Sequence, residues 1–317
     1  MNTEEKKLLP QVIKENLSIE DCTYIESWTF ENGHKVPIYQ VDTVDGLNQI
    51  IGHVKFNNRD YGKVFYRGQG DLHPTMRPGL TRGIKRIETP YKKLKDKIFS
   101  YTQNEKFCNE IKIDTYQEKD KSFFGRRDKS IRDFAVLEAI AQQYGEKTRF
   151  LDVVDNHWNA LWFGLHKYQK SSNGYSFYTN RVNLTDSLEP TSKYQYLILL
   201  AVDDKGNGSF KGFTQGDILS VDLRMILPST FLRPHAQHSL MVRRNKATDN
   251  DEMFDLSGQV VGIFRLHIDK VNKWLGNGQL MNTSTIFPSP RRDFGYDLLL
   301  KKEKEGGIIP LTLDYFF

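Results

Sequence analysis

Arg67 closes a short β-prone run, residues 63–66, and is followed by Gly68, Gln69 and Gly70. A guanidinium at a strand end presents a fixed fork of donors that matches two oxygens of a phosphate. The glycines beside it allow a turn and let a backbone or a ligand come close. Further along, Thr148, Arg149 and Asp152 fall within a few residues of one another. Arg149 and Asp152, three apart, have the types for a buried ion pair that holds a loop, and Thr148 can close a turn. Asp152, Asp155 and His157 together offer ligands for Mg²⁺ or groups for hydrolysis.

A basic stretch adds a second kind of chemistry. Arg77, Arg82, Lys85, Arg86, Lys92, Lys93, Lys95 and Lys97 stand against only Glu88 and Asp96. Such a run attracts a polyanion, whether a nucleic acid or a dinucleotide pyrophosphate, and also suits a solvated helix face. The histidines His73, His157, His166, His235 and His238 show no metal-ligand spacing, and His235-x-x-His238 lacks a third and fourth ligand. Cys22 and Cys108, the only two cysteines, supply neither a disulfide framework nor a thiolate zinc site. No metal is predicted.

The elements that must position these groups follow from hydrophobic periodicity. Residues 24–30 and 36–41 alternate in polarity around Asn32-Gly33, a hairpin signal, and Leu47, Ile50, Ile51 and Val54 follow at helical spacing after Asp45 as N-cap. On the strand that ends at Arg67, Phe65 and Arg67 share one side, Val64 and Tyr66 the other. Phe134, Leu137, Ile140, Ala141 and Tyr144 line one face of a helix over 130–145, with Gly145 as its stop. A second helix, 156–169, starts on Asn156 as N-cap and carries Trp158, Leu161, Trp162, Leu165 and Tyr168 as an apolar stripe suited to a core. Residues 194–202 and 260–268 read as buried strands, and residues 231–242 as a further element.

The chain has 317 residues, 38% hydrophobic and 27% charged, enough for one large domain or two modest ones. No apolar run approaches the length of a membrane span, and residues 1–16 lack the apolar centre of a signal peptide, so a cytoplasmic protein with no membrane partner is expected.

Two blocks of these residues resemble the FRG domain, a bacterial and phage-associated family with an aromatic-Arg-Gly signature. The first is Phe65-Tyr66-Arg67-Gly68-Gln69 with Leu72, Pro74 and Arg77. The second is Gln142-Gln143-Tyr144-Gly145, then Thr148-Arg149-Phe150-Leu151-Asp152, then Asn156 and Ala160-Leu161-Trp162-Phe163. A third block, residues 233–241, aligns on Gln237. Gln143 stands where the family often has His, Val153-Val154 replace Trp-Thr, and His238 stands where Gly is common.

A strand that ends in Arg-Gly is also similar to the start of the NAD site in Arg-type ADP-ribosyltransferases. That resemblance implies Arg67, Thr148 and Gln237 as catalytic residues, with Gln237 where a transferase places Glu. It also implies Arg67, Gly68, Gln69, Tyr144, Arg149 and Asp152 at a nucleotide, with Tyr144 able to stack. NAD is the implied substrate, the ligand a nucleotide or dinucleotide, and the acceptor a protein or nucleic acid, as in a toxin or anti-phage effector. Glu138 and Glu146 are alternative carboxylates. A nucleic-acid-binding or nuclease module and a non-catalytic ligand-sensing or interaction module remain as alternatives.

The expected fold is α+β, with a mixed or antiparallel central sheet, flanking helices and an ADP-ribosyltransferase-like plan. The absence of G-x-G-x-x-G argues against a Rossmann unit. The expected divisions are an N-terminal α/β element over 1–58, the FRG-like domain over 59–245, and an extension over 246–317 that completes the same fold.

Overall fold

A computed structural model describes residues 8–83, 88–102, 108–109, 111, 128–170, 176–183, 193–203, 211–245 and 254–297. Eleven strands are described, nine of them in one sheet ordered β1-β2-β11-β7-β3-β4-β10-β9-β8. These are β1 (Cys22–Thr29), β2 (Lys35–Val41), β3 (Lys63–Gln69), β4 (Leu151–Val154), β7 (Tyr194–Val202), β8 (Phe213–Gln215), β9 (Ile218–Val221), β10 (Ser239–Arg244) and β11 (Val260–His267). Only β2 and β11 run parallel; the other pairs are antiparallel, so the sheet is mixed and the fold α+β, as expected. Strands from residues 1–58, 59–245 and 246–317 interleave in it: β2 lies beside β11, and β11 beside β7.

Period-two alternation sorts the side chains onto two faces. Phe65, Val153, Ile198, Leu200 and Ile263 pack in one cluster. Val64, Tyr66, Val154, Leu197, Leu199 and Phe264 pack in another, together with two helices. These are α1 (Val44–Asn58), through Leu47, Ile50, Ile51 and Val54, and α4 (His157–Leu165), through Ala160, Leu161, Trp162 and Leu165. Helix α2 (Glu88–Thr102) packs beside α3 (Asp128–Gln143). The α3 stripe of Phe134, Leu137, Ile140 and Ala141 meets Leu219, Val221 and Met241 at the β9–β10 end of the sheet.

Two helix boundaries differ from the sequence reading. The N-cap of α1 is Thr43, whose hydroxyl accepts from Gly46 N; Asp45 lies inside the first turn. Helix α4 starts on the expected Asn156 cap, which accepts from Trp158 N, but ends at Leu165 instead of continuing to 169. At His166 (φ −108°, ψ 133°) the chain turns extended into β5 (His166–Lys170), which pairs with β6 (Ser176–Asn180), while the His166 main-chain N–H and ring Nδ1 both meet Trp162 O, the ring at 2.8 Å. Tyr168 therefore leaves the core stripe and is 53% exposed. Residues 206–208, whose Gly-Asn-Gly sequence suits a turn, and residues 298–317 lie outside the described residues. No helix among the described residues is long and apolar enough to cross a membrane.

Gly68 also reads differently in the fold. Strand β3 continues through Gln69, so no turn occurs there. A side chain at Gly68 would meet Ala160 O at 1.6 Å, because α4 crosses β3 at that point. The signature glycine is thus a packing requirement between strand and helix. Gly68→Ala should lower stability by about 1–3 kcal/mol or more, the usual cost of overpacking, seen as a fall in the urea midpoint. Gly52→Ala, within α1, is the control. Its Cβ would meet nothing within 4 Å, so helix propensity should raise stability by about 0.5–1 kcal/mol.

Candidate functional site

Glu138 on α3 is fully buried, and its carboxylate receives three bonds from Arg149: the main-chain N at 3.0 Å, Nε at 3.0 Å and Nη2 at 2.7 Å. Arg243 Nε of β10 lies 3.9 Å from the same carboxylate. Burial alone would push Glu138 up, but the two guanidiniums hold it below its ordinary value. Arg243 is itself pushed down to about 10 by burial and by Arg149. The expected Arg149–Asp152 pair is therefore replaced: Arg149 turns into the core toward Glu138 and lies over the ring of Tyr91 at 4.2 Å.

Fixing Arg149 fixes the chain on either side of it. Thr148 Oγ1 donates to Gln142 Oε1 at 2.7 Å and accepts from Phe150 N at 3.0 Å, and Thr148 N also donates to Gln142 Oε1. With its oxygen so engaged, the Gln142 amide must present Nε2 forward, where it donates to Asp152 Oδ2 at 2.7 Å. Arg67 Nη1 donates to Asp152 O at 2.7 Å, while Arg67 Nε is buried without a partner among the described residues. Burial pushes the Arg67 guanidinium down to about 10. Burial likewise raises the Asp152 carboxyl, against the pull of Arg67. A buried guanidinium with an unused donor stabilises an incoming anion more strongly than a solvated one.

Gln237 ends α5 (Leu232–Gln237), and both ends of its amide are committed. Oε1 accepts from Gln143 Nε2 at 2.8 Å, and Nε2 donates to Ile286 O at 3.1 Å. The next residue, His238, holds a left-handed backbone (φ 52°), a conformation that glycine adopts most readily. Its Nδ1 lies 3.2 Å from Asp155 Oδ1, and Asp155 also receives Arg224 Nη2 at 2.7 Å.

These groups surround a cavity of about 520 Å³ between the end of α3, helix α4 and strands β3 and β4. Arg67, Arg82, Lys147, Gln142 and Asp152 make its polar wall, with Gln143 and Gln237 beside them. Phe163, His166, Tyr168, Tyr178 and Phe287 make an aromatic wall. Tyr178 stacks on Phe287 at 4.6 Å, and Trp162 stacks on His166 at 3.9 Å.

Of the residues expected at a ligand, the fold brings Arg67, Gly68, Asp152 and Gln237 to this cavity and leaves Gln69, Tyr144, Thr148 and Arg149 outside its lining. Tyr144 is fully buried, stacked on Tyr296 at 5.8 Å, with its hydroxyl donating to Asp293 at 2.8 Å, so it offers no face to a nucleotide. Thr148 acts from behind, through Gln142. Glu146 lines the cavity but is paired with Lys97, and Glu138 is enclosed by arginines. Among the described residues no three His, Cys, Asp or Glu side chains gather in a metal-binding arrangement. Sequence reasoning passed over Gln142, Arg82, His166, Tyr178 and Phe287 as site residues. Gln142 and Arg82 lay within recognised stretches; Tyr178 and Phe287 arrive from distant segments and carry no local signal.

A mixed-sheet α+β protein with a half-polar, half-aromatic cavity at the crossing of β3 and α4 is the class so defined. Residues 62–173, about a third of the chain, match the family model of the FRG domain, and that stretch includes the strand, helix and loop that build the polar wall. No curated protein and no solved structure matches the chain.

Gln237→Glu tests the amide relay. The carboxylate cannot donate to Ile286 O, so stability measured by urea denaturation should fall by about 1–3 kcal/mol, the cost of an unsatisfied buried group. The deficit should shrink on acidification, because a protonated carboxyl regains a donor.

Proposed function

We propose that the cavity binds a nucleotide or dinucleotide and that NAD is the dinucleotide it takes. One observation carries the reading: a single cavity sets Arg67, Arg82 and Lys147 against an aromatic wall. Its volume, about 520 Å³, falls within the range of about 300–1,000 Å³ found for small-molecule sites. A pyrophosphate requires the first feature and a planar base the second.

The ADP-ribosyltransferase-like chemistry is a finer part of this proposal. Cleavage of a nicotinamide–ribose bond builds positive charge on the ribose, and Asp152 is the carboxylate of the polar wall that meets no cationic side chain in a direct ion pair. Gln237 is neutral and held at both ends, so it serves here as a support for Gln143. Consumption of NAD would make the protein a toxin or defence effector. The basic stretch has less to support a nucleic-acid site. Lys97 pairs with Glu146, Arg77 lies 4.0 Å from Glu31, Lys95 sits over Tyr91, and Arg82 faces the cavity. Lys85 and Arg86 lie outside the described residues.

Calorimetric titration with NAD and ADP tests the reading. Binding is expected for the wild type, and Arg67→Ala should weaken it by about tenfold or more, since a charge-assisted bond is worth about 1.5–3 kcal/mol. Labelled NAD then separates the roles: nicotinamide release marks an enzyme, and binding without release marks a sensor. If neither nucleotide binds, the proposal fails.

A further inference from the structure

His166 occupies an unusual position for an imidazole. It is the first residue of β5, stacked on Trp162 at 3.9 Å and 17°, and it lies on the cavity's aromatic wall beside Phe163 and Tyr178. Its Nδ1 is 2.8 Å from Trp162 O, an atom that can only accept, so Nδ1 carries the hydrogen. Burial pushes the ring down to about 4, which leaves it neutral at physiological pH. In a neutral imidazole the other nitrogen is then a lone-pair acceptor. Nε2 has no protein partner among the described residues and is not shut off from solvent.

We propose that His166 selects the ring of the ligand: the aromatic wall takes a planar heterocycle that carries an amino donor, and His166 Nε2 accepts from that N–H. The inference rests on the nucleotide reading above and adds to it the class of base. Stacking alone is indifferent to the ring's edge, because every base has a π-face. A fixed acceptor is selective. It rewards an amino group and opposes a carbonyl oxygen at the same place, since two lone pairs would then face each other with no hydrogen between them. The Trp162 carbonyl holds the tautomer, so the ring cannot turn donor to suit an oxo base without losing that bond.

The test compares amino with oxo bases on the same sugar phosphate: AMP against IMP, and CMP against UMP, with ribose 5-phosphate as the baseless control. The wild type should favour the amino member of each pair by about tenfold, one hydrogen bond made or left unmade. His166→Phe keeps the stack on Trp162 and removes the acceptor, so it should bind both members equally. His166→Gln, which carries an oxygen acceptor near the Nε2 position, should recover part of the preference, and circular dichroism checks that both variants fold. Equal wild-type binding of both members, or a preference that survives in His166→Phe, overturns the proposal and leaves the nucleotide site standing. Failure of every nucleotide to bind the wild type, whether or not ribose 5-phosphate does, overturns both.

Discussion

A carboxylate removed from water and faced by two guanidiniums is the constraint on which the polar half of this fold depends. Glu138 is that carboxylate, with Arg149 on three bonds and Arg243 at 3.9 Å. A lone buried carboxylate is expensive, and so is a lone buried guanidinium; only their meeting makes α3, the following loop and β10 compatible with one interior. The group is not neutral, since two cations share one anion. Rings of Tyr91, Phe134 and Phe150 lie over these guanidiniums at 4.2–5.7 Å and accommodate the excess positive charge.

The polar wall inherits its geometry from that anchor through a series of amides and hydroxyls. Arg149 places Thr148, Thr148 orients Gln142, and Gln142 steadies Asp152, whose main-chain oxygen receives Arg67. The last three links are hydrogen bonds of 2.7 Å, and they hold the long Gln142 and Arg67 side chains against the rotamer freedom these would otherwise have. The signature arginine is thus held at the far end of a relay that begins in the core. Arg67 needs no acidic partner of its own: its Nη1 rests on a carbonyl and its Nε stays unused.

Local patterns carried much of this architecture. The α3 stripe, the Asn156 cap and the apolar runs of β7 and β11 are short-range features, and each formed close to where its residues placed it. Arg149 and Asp152 misled because spacing shows only that two residues can meet; Glu138 lies one helix away in space, eleven residues back in the chain. Gly68 was informative for a different reason from the one its freedom suggested, since its constraint comes from Ala160 across a helix crossing. Tyr178 and Phe287 stack at 4.6 Å from segments more than a hundred residues apart, and no local pattern foretells such a meeting. Helix α4 stopped early because the residues from His166 onward pair with β6, a partner that the apolar spacing of 156–169 does not show.

The sheet order carries a consequence for how the protein is made. Among the described residues of 62–173 the large sheet holds β3 and β4, and their ladder pairs at a single position, Tyr66 with Val154. The strands that flank them, β7 on one side and β10 on the other, are encoded later in the chain. During synthesis β3 and β4 therefore emerge before the strands that pair with most of their backbone groups, and the N-terminal hairpin waits longer still, for β11. The ribosome delivers the signature early and its shape late. A nascent chain stalled between the two presents open strand edges, which are templates for pairing with other chains.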